Sequence, residues 1–415
     1  MDLALTACSP GAAQDPQRLP WINGLRGLAI LGVMWHHAFF SYFRYGHGSA
    51  DVPLWLNAIA SSGWLGVNLF FFLSGFVLYL PYAQRRRTFN DPGERRAFFA
   101  RRLARLYPLY TLFWLVVVLA CLAKALPTPG LLGLAVVYGL VVYPASPMTF
   151  MPPGCPQLWS IGIEFWFSAT FPLLAAGRIR WSGLLPIVLV AAFSCRALGH
   201  LSDTGQVVMD LLNPLSDSLF GRLDDFVLGM FASHLFARGS FVAGRPWWFA
   251  LATILWAGVM ALWWARSNGL VHPAAVAPAN LMLTTGLLLA LPTIIEGRSL
   301  VSRALLNSGL QLLGMMSYSL YLWHSLVFDL CHARDGLAPS ALLYALLPVL
   351  ILSWITYRYV ECRGVASWRQ IVPPSMSEAW DRLRSYPARA VEQLAPRTHA
   401  VAQRIARTKT SRRVR

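Results

Sequence analysis

The sequence predicts an all-α, polytopic integral membrane protein of about ten transmembrane helices, with both termini cytoplasmic. Three observations predict it. The 415 residues are 56% hydrophobic and only 13% charged, at a mean hydropathy of +0.50, which is too apolar for an ordinary soluble chain. About ten runs of roughly 20 mostly apolar residues follow one another, each long enough to cross a bilayer. The arginines, 33 of the 35 basic residues, lie mostly between and after those runs, as the positive-inside rule requires.

Residues 1–20 are polar or small and lack a charged-then-apolar leader, so they read as a cytoplasmic segment with no cleaved signal peptide. The apolar runs are 24–44, 63–82, 106–126, 158–176, 182–199, 220–237, 246–265, 278–296, 310–331 and 341–360. A shorter run, 131–144, is hemmed in by prolines on both sides, and its 14 residues suit a re-entrant or interfacial helix better than a crossing. Parity supports this. The 83–105 loop holds eight arginines against Asp91 and Glu94, and the other basic clusters fall on the same side only if 131–144 does not cross. The transmembrane domain is thus expected over 21–362, followed by a basic cytoplasmic tail, 363–415. The formal charge of +17 is explained by this topology, and no nucleic-acid partner is expected. The six cysteines show no C-x-x-C and no metal-ligand spacing, so no metal site is expected.

Chemistry enters in the first run, WINGLRGLAILGVMWHHAFF, residues 21–40. Eleven residues of helix make three turns plus about 20°, so Arg26 and His37 share a face, about 16.5 Å apart along the axis, while His36 lies about 80° away. Arg26 alone could snorkel to headgroups. Two polar residues in register point to a cavity, because intramembrane ionisable groups cost a few kcal/mol each.

The stretch GLRGLAILGVMWHH resembles the first span of the membrane acyltransferase 3 family, with its R-x10-H motif on Arg26 and His37. In the same order, FFFLSGF (70–76), RRLARLYP (101–108), LWSIGIEFWF (158–167), GRLDDFVLGM (221–230) and SYSLYLWHS (317–325) are similar to further segments of that family. The resemblance covers roughly 22–362 and is of the stand-alone type, without the esterase-like domain some members carry. One departure is clear: Phe165 and Trp166 stand where the family often has Glu and Gln, so no role is carried over to them.

The resemblance implies a membrane O-acyltransferase that moves an acyl group, acetyl above all, from acyl-CoA to a hydroxyl of a carbohydrate, glycolipid or glycosylated metabolite. Acyl-CoA is then a co-substrate, with no permanently bound cofactor; the Arg-for-Lys bias suits a GC-rich bacterial genome, and the expected location is the bacterial inner (plasma) membrane. Arg102 and Arg105, three apart and so neighbours on a helix, fit CoA phosphates, or simply anchor an arginine-rich loop. His37 suits general-base work or acyl relay. Glu164 could orient His37 or sit at the interface in an ion pair, and Arg26 could hold a phosphate or a developing oxyanion. Trp159, Ser160, Tyr318 and His324 are carried over as substrate contacts, although interface belts explain aromatics equally well. Ser74 and Gly75 are expected to permit close helix packing, and Arg222 and Asp225 to form an ion pair. The rival class is a transporter or exporter of a small carboxylate or glycolipid using the same cavity; no internal repeat supports it.

Overall fold

The computed structural model describes residues 19–45, 62–123, 131–150, 155–176, 180–201, 213–241, 246–297, 299–335 and 339–362. Most of the N-terminal segment and all of the tail 363–415 lie outside the described residues.

All the regular elements described are helical: α1 Pro20–Tyr45, α2 Leu65–Ala83, α3 Pro92–Ala123, α4 Leu131–Gly139, α5 Leu158–Ala175, α6 Trp181–Leu201, α7 Leu219–Ala237, α8 Pro246–Ser267, α9 Ala279–Ile295, α10 Leu300–Leu305, α11 Ser308–Met315, α12 Ser317–Asp335 and α13 Pro339–Thr356, with a π turn Tyr357–Glu361 after α13. Each of the ten apolar runs falls on helix. Six described segments are long and apolar enough to cross a membrane: Ser62–Ala83, Pro92–Ala120, Leu158–Ala175, Trp181–Leu201, Trp247–Arg266 and Pro273–Ile295.

Two of the other runs depart from a simple apolar span for visible reasons. Run 310–331 is two helices that part at Met316, where α11 ends. Run 220–237 is α7, which carries Arg222, Asp224 and Asp225, all buried. Buried charges persist only when paired. Arg196 of α6 makes a two-point bond to Asp224, Nη1 to Oδ1 at 2.8 Å and Nη2 to Oδ2 at 2.7 Å. Arg222 donates from Nε to Asp217 Oδ1 at 2.9 Å, and Asn68 Nδ2 donates to Asp225 Oδ2 at 3.0 Å. The expected Arg222–Asp225 pair is the looser contact, at 3.9 Å; Asp217 is the tighter partner. Helix α4 is nine residues, about 13.5 Å, well short of a bilayer's hydrocarbon thickness.

Helix α2 is the centre of the bundle, packing on α7 and on α1, while α1 also meets α11 and α12. Glycine makes the α2–α7 contact possible. A methyl group on Gly229 would overlap the Phe72 carbonyl, and one on Gly75 the Phe226 carbonyl, so the two backbones touch. This close approach turns the flank of α2 that carries Ser74 toward α5 and α3, where the polar groups lie.

Candidate functional site

A cavity of about 80 Å³ opens between α1, α2, α3, α5 and α12, with Arg26, Ser74, Arg105, Ser160, Glu164, Tyr318 and Tyr321 among its lining residues. The rest of its wall is apolar and includes Phe70, Phe71, Leu73, Val77 and Ile161. Five of the candidate site residues read from the sequence, Arg26, Arg105, Ser160, Glu164 and Tyr318, therefore share one chamber, while His37, Arg102, Trp159 and His324 do not line it.

Its polar groups divide into paired and unpaired. Glu164 forms a buried ion pair with Arg102, and Ser74 Oγ donates to Glu164 Oε1 at 2.6 Å. Arg102 Nε also donates to Ser168 Oγ at 2.9 Å. Glu164 thus finds its partners on α2 and α3, and the orienting contact with His37 expected of it is absent from its hydrogen bonds. Ser74, expected to serve helix packing, is a hydrogen-bond donor in the site, and Gly75 alone takes the packing role. Arg105 is different. It is 4% exposed, and its Nε and Nη2 have no hydrogen-bond partner. An orphaned buried donor costs about 1–3 kcal/mol, more when charged, and few native structures leave one without a reason. Glu361, on the π turn after α13, lies near Arg105 and Arg26; burial pushes its carboxyl up to about 7 against their attraction.

Tyr321 also lines the chamber. Its hydroxyl lies 2.5 Å from Ser160 Oγ and donates to the Gln157 carbonyl at 3.2 Å. Tyr318 OH donates to the Leu106 carbonyl at 2.8 Å. One turn beyond Tyr321 is His324, fully buried, its ring 5.7 Å from that of Tyr321. His324 meets His37, Nε2 to Nδ1 at 3.2 Å, across 287 residues of sequence. His36 lies beside them, 5.3 Å from the His37 ring.

The partners assign the tautomers. A carbonyl only accepts, so His324 Nδ1, 3.0 Å from the Leu320 carbonyl, carries its proton, and neutral His324 has a lone pair at Nε2. His37 Nδ1, 3.0 Å from the Val33 carbonyl, likewise carries a proton, shared with His324 Nε2. His37 Nε2 keeps its lone pair. Trp159 is the one substrate candidate set away from chamber and histidine pair alike: its ring packs on Phe71 at 6.0 Å and lies under Arg222, 5.4 Å from the guanidinium. Trp166 Nε1 donates to the Val141 carbonyl at 2.9 Å, and Phe165 packs on Tyr107 and Tyr110, so both departures from the family pattern have packing roles.

Sequence reasoning did not single out Arg196, Asp224, Ser74 as a donor, or Glu361. The signal for Arg196 was available, an arginine inside the apolar run 182–199. Glu361 had none, being one acid at the head of a basic tail.

The family model of the acyltransferase domain of acyltransferase 3 matches residues 19–358. The chain is 27% identical over 342 residues to acyltransferase MdmB of Streptomyces mycarofaciens, covering 77% of this chain and 81% of that protein. It is 33% identical over 203 residues to protein 2 in the picA locus of Rhizobium radiobacter, covering 44% of this chain and 94% of that one. It is 24% identical over 374 residues to O-acetyltransferase OatA of Staphylococcus aureus, covering 84% of this chain but only 57% of OatA. No solved structure matches.

Proposed function

The chain belongs to the acyltransferase 3 family, and from that premise we propose that it is a membrane O-acyltransferase which moves an acetyl group from acetyl-CoA to a hydroxyl of a carbohydrate, glycolipid or glycosylated metabolite. One observation carries the reading: a buried guanidinium, Arg105, with two unmatched donor nitrogens, lines a chamber that Arg26 also lines. Those donors suit an oxygen of the bound donor, carbonyl or phosphate. The apolar remainder of the wall suits a short acyl chain, and about 80 Å³ leaves no room for a long one.

The transfer balances as follows. The acceptor hydroxyl gives its proton to His37 Nε2 while its oxygen bonds to the thioester carbon. The tetrahedral oxyanion collapses, the C–S bond breaks, and the thiolate takes the proton back from the imidazolium. While His37 is charged, its Nδ1–H is held by the Val33 carbonyl and the His324 lone pair. Glu164 is committed to Arg102 and Ser74, so it fixes the α2–α3–α5 wall and not the base.

The test is acetyl-CoA turnover by purified protein, read as free CoA with a panel of glycoside acceptors. Wild type and His36→Ala should turn over, and His37→Ala should fall by about 10²–10⁴-fold, the usual worth of a general base. Equal turnover by wild type and a folded His37→Ala would remove the base and the mechanism with it.

A further inference from the structure

The donor's phosphates need a place that the chamber does not give them. Arg102 is taken by Glu164 and Ser168, and a space of about 80 Å³ does not hold a nucleotide. A second, larger hollow of about 540 Å³ lies where α2 and α7 end, with Tyr79, Tyr82, Arg85, Arg86, His234 and Arg238 on its walls. We propose that this hollow is a binding site for a phosphate-bearing group, either the nucleotide end of acyl-CoA or the headgroup of an anionic lipid.

Three features carry it. First, three arginines, Arg85, Arg86 and Arg238, line the hollow, and no ion pair joins any of them to a carboxylate among the described residues. The acids nearby in sequence are engaged elsewhere: Asp91 Oδ1 accepts from Gly93 N at 3.1 Å, and Glu94 Oε2 accepts from Thr88 N at 2.8 Å. Guanidiniums are the side chains best matched to phosphate. Second, Arg85 has φ of +58°, in the left-handed region at the end of α2, where glycine is the usual occupant. The turn is closed by Arg86 N donating to the Pro81 carbonyl at 2.9 Å. A residue with a side chain is kept there at a backbone cost, and it lines the hollow. Third, the aromatic walls are held in place: Tyr82 stacks on Phe89 at 4.4 Å, and both Tyr79 and His234 pack on Trp181. Aromatic walls beneath a cationic rim suit a phosphate attached to a flat or apolar body.

Positive-inside placement and the favourable site for cations at helix C-termini account for arginine in this region. They account neither for a hollow between the arginines nor for Arg85 in a glycine position. The hollow is also within reach of the chamber, since α2 serves both: Ser74 lines one and Tyr82 the other, eight residues or about 12 Å along the helix. Only the nucleotide as source rests on the acyltransferase reading; phosphate binding does not.

The experiment compares full-length wild type, Arg85→Gln/Arg86→Gln/Arg238→Gln and, as a control that removes the same charge outside the hollow, Arg95→Gln/Arg96→Gln/Arg101→Gln. Two probes are used: equilibrium binding of adenosine 3′,5′-bisphosphate, and native mass spectrometry of phosphatidylglycerol retained against phosphatidylcholine. Thermal unfolding checks that all three fold. Nucleotide binding weakened about tenfold or more in the first triple variant, and less than about threefold in the control, supports the site with nucleotide as its ligand. Selective loss of phosphatidylglycerol from the first triple variant, with nucleotide binding intact, supports the site with lipid as its ligand. Equal losses in both variants, or none in either, overturn it. Absence of CoA turnover by wild type would count against the acyltransferase reading alone and leave both binding results standing.

Discussion

In the proposed reaction His37 is prepared for chemistry by what it touches. Its Nδ1 proton faces the Val33 carbonyl and His324 Nε2, which leaves Nε2 as the only basic atom of the ring. A carboxylate does this work in the familiar serine triad; in the proposed reaction a neutral histidine of fixed tautomer takes that place. His324→Ala should therefore lower turnover by about 10²-fold, and His324→Gln, whose amide oxygen can still accept, should retain more of it, measured as CoA release by protein of unchanged melting temperature. If the two variants lose activity equally, the acceptor role is wrong and His324 merely fills space. Phe70 offers a second test at one position. It lines the chamber and packs on Tyr321 at 6.0 Å. Phe70→Ala should shift the kcat/KM ratio of butyryl-CoA to acetyl-CoA upward by about tenfold, in line with roughly 1–3 kcal/mol per methylene in a fitted pocket.

Helices α2 and α7 act as a pair because Gly75 and Gly229 let their backbones meet. Gly229→Ala places a methyl group against the Phe72 carbonyl, and neither backbone can yield cheaply. A loss of about 1–3 kcal/mol is expected, read as a lower melting temperature in detergent. Gly133→Ala is the contrast. Nothing lies within 4 Å of its added carbon, so helix propensity alone applies and stability should hold or rise by up to about 1 kcal/mol. An ion network of Arg196 from α6, Asp217 just before α7, and Arg222 and Asp224 on α7 lets α7 sit inside the bundle despite three charged residues.

Glu361 ties the two ends of the described chain together, since its neighbours are Arg26 of α1 and Arg105 of α3, with Tyr318 and Tyr357 close by. Its carboxyl, raised from 4.5 to about 7 by burial, is mostly neutral below pH 7 in the folded protein and ionised above it. The sign follows. Between about 4.5 and 7 the folded state holds more protons than the unfolded, so stability falls as pH rises through that window, and Glu361→Gln should lack that fall. In the proposed reaction, ionised Glu361 also competes with the donor for Arg105 and Arg26. The KM for acetyl-CoA should rise above pH 7 in wild type and stay level in Glu361→Gln; parallel profiles would show that the carboxyl does not titrate in the site.

Most of the helical architecture was legible in the sequence, because an apolar run of about 20 residues has few other ways to satisfy its backbone. So was the shared face of Arg26 and His37, which is a matter of 3.6 residues per turn. Periodicity says nothing about what that face meets. Glu164 looked like a partner for His37, yet packing gave it Arg102 and Ser74 and gave His37 a histidine 287 residues away. Arg102 and Arg105, three apart and alike in sequence, became one paired and one unmatched guanidinium. Secondary structure is written in local spacing, and the sequence by itself determined it. Charge partners, the chamber and the hollow depend on which helices touch, and only the tertiary structure decided those, because contacts between distant segments are set by side-chain fit and not by position along the chain.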